Sequence, residues 1–452
     1  VSAARIDATA ATVAWDGAIM RPEAAAERTA LERGQREHDF VVGGRLACSV
    51  ARPRIVGAAG AAAVARDAEL VLRALERIER AILADPERFA DMVGRFDDEE
   101  RELLEMPAPL GRGDVVARLD GTWTGAGIVF YELNGTVPAG VESTHLLDEL
   151  FVAGPTFAAL AGDHRLAPFD LRGGLTETIL TAWQGSGGRD LPRIAIVDFL
   201  DEVKLTTFHM LAEWMAERGV ECHPVDARAL ELEDGRLVAD TGPIDLVYRR
   251  LGVVDMLGRK DETRVLREAV RSGAAAMVDP FHVSVLDRKA LFAPLSEPEV
   301  LHALPAPERD AAARCIPWTR LVRDGATTDP EGGEVDLLET ARRDRAGLVL
   351  KPNHDRAGHG VVIGATSDAA TWERTLERAV GGEEWVVQRA VAPARADYPL
   401  LEDASRRATF EESTDPFLFA GRFGGLLTRL APSGLTNISA GGSTTSVLLA
   451  RD

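Results

Sequence analysis

Cysteine and lysine are both scarce in this chain. Its 452 residues include three cysteines, Cys48, Cys222 and Cys315, widely spaced and odd in number. That excludes a disulfide framework and a thiolate zinc cage. Positive charge is short as well: 52 Lys and Arg stand against 72 Asp and Glu, leaving a formal charge of −20. A surface of that sign repels phosphodiester backbones and anionic lipid, so neither nucleic acid nor a membrane is expected as a partner. No run approaches the roughly 18 uninterrupted apolar residues of a membrane span. The opening V-S-A-A-R-I-D-A-T-A is polar and small rather than secretory, so a cytoplasmic place is expected. Of the 52 basic residues 48 are arginine, and the four lysines are Lys204, Lys260, Lys289 and Lys351. Where arginine is the default cation, a lysine can mark a site that suits a compact ammonium better than a guanidinium fork. What remains is ordinary for a soluble enzyme of several domains, with 46% apolar and 27% charged residues.

Residues 1–110 are rich in Ala, Arg and Glu, with helical periodicity at 22–38 and 60–84. The acidic run 96–105 reads as a solvated helix face, and 56–63 lacks the G-x-G-x-x-G spacing of a dinucleotide loop. Segments 114–119 and 127–134 read as two strands joined by a Gly-rich turn. Over 190–282 apolar strands alternate with helical stretches, which argues a Rossmann-like α/β domain with a largely parallel sheet. Beyond 284 the pattern predicts a helix near Asp287 carrying Lys289, a strand ended by Pro352, a helix at 367–380 and a strand at 383–389. A hairpin over 415–431 is expected to turn on Gly424-Gly425.

Two clusters carry chemistry. Arg118 and Asp120 share one face of a strand, and Glu132 and Asn134 share one face of the next. If the strands pair, an arginine, two carboxylates and an amide converge, a hard-oxygen set suited to Mg²⁺. An ordinary salt-bridged hairpin is the plainer alternative, although V-F-Y-E-L-N is an apolar setting in which an unpaired glutamate is costly. Lys289, Lys351 and the loop Asn353–Gly360 form the second cluster, and an ammonium beside a glycine-bearing loop can hold polyphosphate. His354 and His359 on that loop read as hydrogen-bonding groups rather than a metal pair. Neither a Walker A loop, a G-x-S-x-G elbow nor an H-E-x-x-H helix occurs.

With these residues in view, V-A-R-L-D-G…I-V-F-Y-E-L-N-G-T-V-P-A-G resembles the Arg-x-Asp…Glu-x-Asn metal signature of ATP-grasp ligases. R-K-A-L-F-A-P-L and V-L-K-P-N-H-D-R-A-G-H-G resemble their two ATP-phosphate lysines and mobile glycine-rich loop. W-V-V-Q-R-A-V is similar to their adenine hinge, with Gln388 where many members carry Glu. G-R-F-G-G-L-L-T-R-L-A…L-T-N-I-S-A-G-G resembles the segment that in most members precedes the metal strands. Here the metal strands come before Lys289 instead of last. That order resembles the circularly permuted branch typified by glutathionylspermidine synthetase. The resemblance covers about residues 110–150 and 245–452.

The resemblance implies an α/β (α+β) chain with a circularly permuted ATP-grasp fold, a Rossmann-like α/β domain and a helical N-terminal region. The implied division is 1–110 (helical), 111–165 (metal-binding part), 166–283 (Rossmann-like) and 284–452 (ATP-binding part). It implies a carboxylate–amine ligase forming an amide or peptide bond through an acyl-phosphate, on a small molecule or peptide of specialised metabolism. ATP and two Mg²⁺ ions are the implied cofactors, and a small-molecule carboxylate and amine the substrates. Asp120, Glu132 and Asn134 would hold metal, and Arg118 and Arg429 would serve catalysis. Lys289, Lys351, His354, Gly358, Gly360, Gln388, Arg389, Val391 and Asn437 would meet ATP. A small-molecule kinase on the same scaffold and a non-catalytic nucleotide-binding scaffold stay open, as do the acid, the amine and the oligomeric state. Every version of this reading requires the early acidic hairpin and the late lysines to share one cleft.

Overall fold

The computed structural model describes residues 6–108, 110, 116–136, 138–354, 360–433 and 441–451. Strand β1 (Arg54–Gly57) leads directly into α1 (Ala58–Ala84). In α1, Val64, Ala68, Leu72, Leu75, Ile78 and Ile82 make one buried stripe. The start of α1 occupies the segment that lacked a dinucleotide fingerprint. Helix α2 (Asp98–Leu104) opens on a capping box between Asp97 and Glu100. The expected helix at 22–38 is a 3-10 turn, Pro22–Ala24, followed by an α-helix, Ala25–Glu37.

Strands β2 (Val116–Thr124) and β3 (Gly127–Asn134) form the early hairpin. Next come β4 (Ile194–Asp198), α3 (Thr206–Ala216), β5 (Cys222–Asp226), β6 (Leu246–Arg249), α4 (Val253–Gly258), α5 (Arg264–Ser272) and β7 (Ala276–Val278). Their strands make a wholly parallel sheet in the order β7-β6-β4-β5. Near Asp287 the chain forms two 3-10 turns, Phe281–Asp287 and Lys289–Phe292, instead of the expected helix. Arg288 interrupts them in extended conformation, its guanidinium donating to the carbonyl of Arg95 and to Glu100.

Helix α6 (Ala306–Cys315) precedes an antiparallel sheet of β8 (Thr319–Leu321), β9 (Leu348–Pro352), β10 (Val362–Ile363) and β11 (Trp385–Arg389), ordered β8-β11-β9-β10. The chain closes with β12 (Ala394–Pro399), β13 (Arg407–Glu412), β14 (Asp415–Phe419), β15 (Arg422–Ala431), β16 (Ser443–Thr445) and β17 (Val447–Ala450). The β14–β15 hairpin turns at Ala420-Gly421, four residues earlier than expected, because both residues there have positive φ (46° and 75°). Gly424 lies within β15, where a Cβ would come 2.3 Å from the Phe419 ring.

The largest sheet runs β12-β13-β15-β14-β2-β3, with β16 beside β15. It sets the last quarter of the chain directly against the early hairpin, Phe417 standing opposite Arg118. Leu119, Phe130, Leu418 and Leu426 from this sheet pack on Leu72 and Leu75 of α1 and on Ala312 of α6. Burial of side chains of this kind stabilises by roughly 1.5–3 kcal/mol each. Among the described residues no helix is long and apolar enough to cross a membrane.

Candidate active site

The β2–β3 register sets Arg118 opposite Asn134 and Asp120 opposite Glu132, so the four side chains share one face of the sheet. A bulge follows Asp120. At Gly121 a Cβ would lie 2.6 Å from the Val129 carbonyl, so the bulge needs glycine. Arg118 donates through Nε to Asp120 Oδ1 at 2.6 Å and through Nη2 to Oδ2 at 3.2 Å. From β15, Arg429 reaches the same carboxylate, Nη2 to Oδ2 at 2.8 Å, while its Nε meets Asp415 Oδ2 at 2.9 Å.

Both lysines come to this face. Lys289 Nζ lies 3.2 Å from Glu132 Oε1. Lys351 donates to Gln388 Oε1 at 2.7 Å and to the Tyr131 carbonyl at 3.1 Å. Asn353 ties the two lysine segments together: its carbonyl accepts from Lys289 N at 3.1 Å and its Oδ1 from Ala290 N at 2.9 Å. Arg118, Arg429, Lys289 and Lys351 thus stand about Asp120, Glu132 and Asp415 in largely buried surroundings. Burial pushes the Lys351 ammonium down to about 8, Glu132 works against that shift, and neighbouring Lys289 adds to it. Burial would raise Asp120, but Arg118 and Arg429 overcome it and hold the carboxyl well below its usual range. Asp415 moves upward because burial outweighs its contact with Arg429.

Two cavities meet here. One, of about 360 Å³, is lined by Asp120, Tyr131, Glu132, Lys351, Gln388, Arg389, Val391 and Arg429. The other, of about 420 Å³, is lined by Arg118, Glu132, Asn134, Arg250, Arg288 and Lys289 among others. Glu132 lines both.

No protein-family model matches the sequence, and no curated protein matches it. The structure is similar to the apo form of a glutathione synthetase-like effector, GSS30, from Globodera pallida. The TM-score is 0.60 over 94% of this chain and 96% of that one, at 12% identity. Such mutual coverage shows a common fold, and such identity shows nothing beyond it. The chain has the ATP-grasp fold. Weaker likenesses are a putative gamma-glutamylcysteine synthetase from Methylobacillus flagellatus KT (TM-score 0.41, 13% identity, 80% and 83% covered) and a RimK domain ATP-grasp protein from Sphaerobacter thermophilus DSM 20745 (0.27, 14%, 57% and 90%). At those scores neither carries an argument.

Within this ATP-grasp fold the sequence-selected residues are placed as follows. Arg118, Asp120, Glu132, Asn134, Lys289, Lys351, Gln388 and Arg429 line one or both of the two cavities. Gln388 spends both ends on neighbours: Oε1 accepts from Lys351, and Nε2 donates to Thr319 Oγ1 at 3.0 Å. The N–H of Arg389 is committed to the Trp318 carbonyl at 2.8 Å, while Val391 lines the smaller cavity. His354 Nε2 lies 2.7 Å from Glu384 Oε2, at the foot of the loop. Gly360 ends the loop with φ +70°, and a Cβ there would stand 2.8 Å from Pro352 Cγ. Gly358, His359 and Asn437 lie outside the described residues.

Asp120, Glu132 and Asn134 form an oxygen-donor set, and the Asn134 Nδ2 is buried without a partner, so the amide is not locked by the protein. Oxygen and nitrogen of such an amide are interchangeable by rotation. Among the described residues no three His, Cys, Asp or Glu side chains are placed to hold a metal alone. With Asp120 held by Arg118 and Arg429 and Glu132 by Lys289, the oxygen-donor set fits a hard cation that takes its remaining ligands from phosphate oxygens.

The sequence reading missed several neighbours of the site. Asp415 is fully buried on β14, next to an apolar strand in the same way as Glu132, and that unusual setting was its signal. Tyr131 supplies both a carbonyl and a ring, 5.2 Å from the Lys351 ammonium. The acidic run 96–105 is more than a solvated face: Phe96, Glu100 and Leu104 line the larger cavity. No local pattern announces that placement.

Proposed function

We propose that the protein is an ATP-dependent carboxylate–amine ligase, with ATP in the smaller cavity and the carboxylate substrate in the larger. The observation that carries this reading is Glu132, one carboxylate shared by both cavities and bridged to Lys289. A group transferred from one cavity to the other passes that side chain. In the reaction a substrate carboxylate oxygen attacks the γ-phosphorus of ATP, the bond to the β-phosphate oxygen breaks, and ADP leaves. The amine then attacks the acyl carbon, phosphate departs, and the amine loses a proton to give the amide.

Asp120, Glu132 and Asn134 would hold Mg²⁺, which when bound draws charge from the transferring phosphoryl group. Lys351 and Lys289 would bind the α- and β-phosphates as point charges. Arg118 would stabilise charge first on the phosphoryl group and then on the tetrahedral oxyanion, and Arg429 is positioned to act beside it. Val391 and the carbonyl of Arg389 would meet the adenine edge, and Gln388 would serve by holding Lys351. The 353–360 segment, with His354, Gly358 and Gly360, would close over the phosphates and exclude water from the acyl-phosphate, and Asn437 would contact substrate or phosphate. We propose a circular permutation and the four-part division given above as the organisation of the chain. The pairing of β14 with β2 supports it, since joining the end of the chain to the Arg118 region would restore the common motif order.

The test is ADP release from ATP and Mg²⁺ with pools of amino acids or polyamines, together with mass detection of an amide. Glu132→Ala should abolish turnover while the protein stays folded. Near-normal ADP release from that variant would overturn the reading. ADP release without an amide would make the protein a kinase on this scaffold.

A further inference from the structure

The larger cavity has a mixed lining. Its polar part includes Arg118, the Lys289–Glu132 pair, the buried, unpartnered Asn134 Nδ2, Arg250 and Asp287. Its apolar part includes Leu104 of α2 with Val253 and Val254 of α4. Val254 is 57% exposed, a large apolar side chain left open on the wall of a polar site. The two wall segments are fastened together. Glu99 pairs with Lys260, Glu102 pairs with Arg271, and Val253 packs in the same apolar cluster as Leu103 and Met106. On the inner side Arg288 pins α2, 2.9 Å from Glu100 and 3.7 Å above the Phe96 ring. The apolar residues of α2 and α4 are therefore held together, with Arg288 beside them.

We infer that this cavity selects a carboxylate substrate bearing an apolar side group. The carboxylate lies against Arg118, beside the metal- and phosphate-holding Asn134 and Lys289, and the apolar group covers Leu104, Val253 and Val254. This rests on the ligase reading above and assigns a role to the N-terminal region, whose α2 supplies half of the wall. The volume of about 420 Å³ lies within the ordinary range for small-molecule pockets, about 300–1,000 Å³. A water-exposed Val254 gains from contact with hydrocarbon, and each methylene buried there should tighten binding by about fourfold.

The experiment measures binding of acetate, butanoate and hexanoate to the full chain by calorimetry in the presence of ADP and Mg²⁺. Hydroxylamine trapping of acyl-phosphate with ATP is measured in parallel. Wild type should bind hexanoate more tightly than acetate by on the order of a hundredfold. Val254→Asp and Leu104→Asn, each checked for folding by circular dichroism, should flatten the series. A flat series in wild type, or a gradient that survives both substitutions, overturns the inference. A gradient in binding without acyl-phosphate formation would leave the apolar wall standing and remove the ligase reading. Hydroxamate formation with a flat series would do the reverse.

Discussion

Arg429 holds two carboxylates at once, Asp415 through Nε at 2.9 Å and Asp120 through Nη2 at 2.8 Å. Asp415 lines neither cavity and is fully buried, and its Oδ1 also accepts the Gly121 N–H at 3.1 Å, at the bulge after Asp120. It therefore anchors both the arginine and the backbone that present Asp120. Asp415→Asn keeps the shape but removes the charged partner of the Arg429 Nε. Loss of one partner of a buried pair costs about 3–5 kcal/mol. A fall of that size in urea unfolding is expected, with a drop in ADP release of at least about tenfold, and wild-type stability would contradict it.

If Lys351 meets phosphate as proposed, nucleotide binding should depend on pH. Its folded pKa, about 8, lies below the free value of 10.5, so between those limits the unfolded chain binds the extra proton and stability rises with pH. Phosphate oxygens favour the ammonium. Affinity for a non-hydrolysable ATP analogue should therefore fall above pH 8, by up to about tenfold per pH unit, with proton uptake seen in calorimetry. Lys351→Ala should weaken binding and remove the slope. A pH-independent affinity in wild type would show that no phosphate meets this group.

Asp148 is buried beside Ser446, which donates to its Oδ1, while its Oδ2 is buried without a hydrogen-bond partner. Burial pushes its pKa from 3.8 up to about 8. The folded chain then binds the extra proton between those values, so stability falls as pH rises through that window. Asp148→Asn removes the cost of charging. The variant should melt about 1 °C higher per kcal/mol gained at pH 8, and the gain should vanish near pH 4. Equal melting temperatures at pH 8 would refute a neutral Asp148.

Gly360 stands at φ +70°, and a Cβ there would come 2.8 Å from Pro352 Cγ. Gly360→Ala should cost about 1–2 kcal/mol in the loop end and weaken ATP-analogue binding by about five- to thirtyfold. Binding equal to wild type would free this position from the nucleotide site.

Period-two spacing was enough to place Arg118 with Asp120 and Glu132 with Asn134, because strand geometry sends alternate residues to one face whatever the rest of the chain does. The scarcity of lysine drew attention to Lys289 and Lys351, and the structure sets both against the same hairpin. Other features left no local trace. The helix expected near Asp287 gave way to two 3-10 turns because the Arg288 side chain is tied to Arg95 and Glu100, far away in sequence. Gln388 reads as a hinge residue on its strand, yet its amide is spent on Lys351 and Thr319.

By itself, then, the sequence determined the elements, the faces of the hairpin and the charge types available for chemistry, since each follows from residues close together along the chain. Tertiary structure alone decided that Glu132 stands between two cavities, that Asp415 steadies Arg429, and that α2 walls the larger cavity. Those relationships join segments separated by hundreds of residues. They are set by which apolar faces bury together, and the buried charges pair only once that packing has brought them within reach.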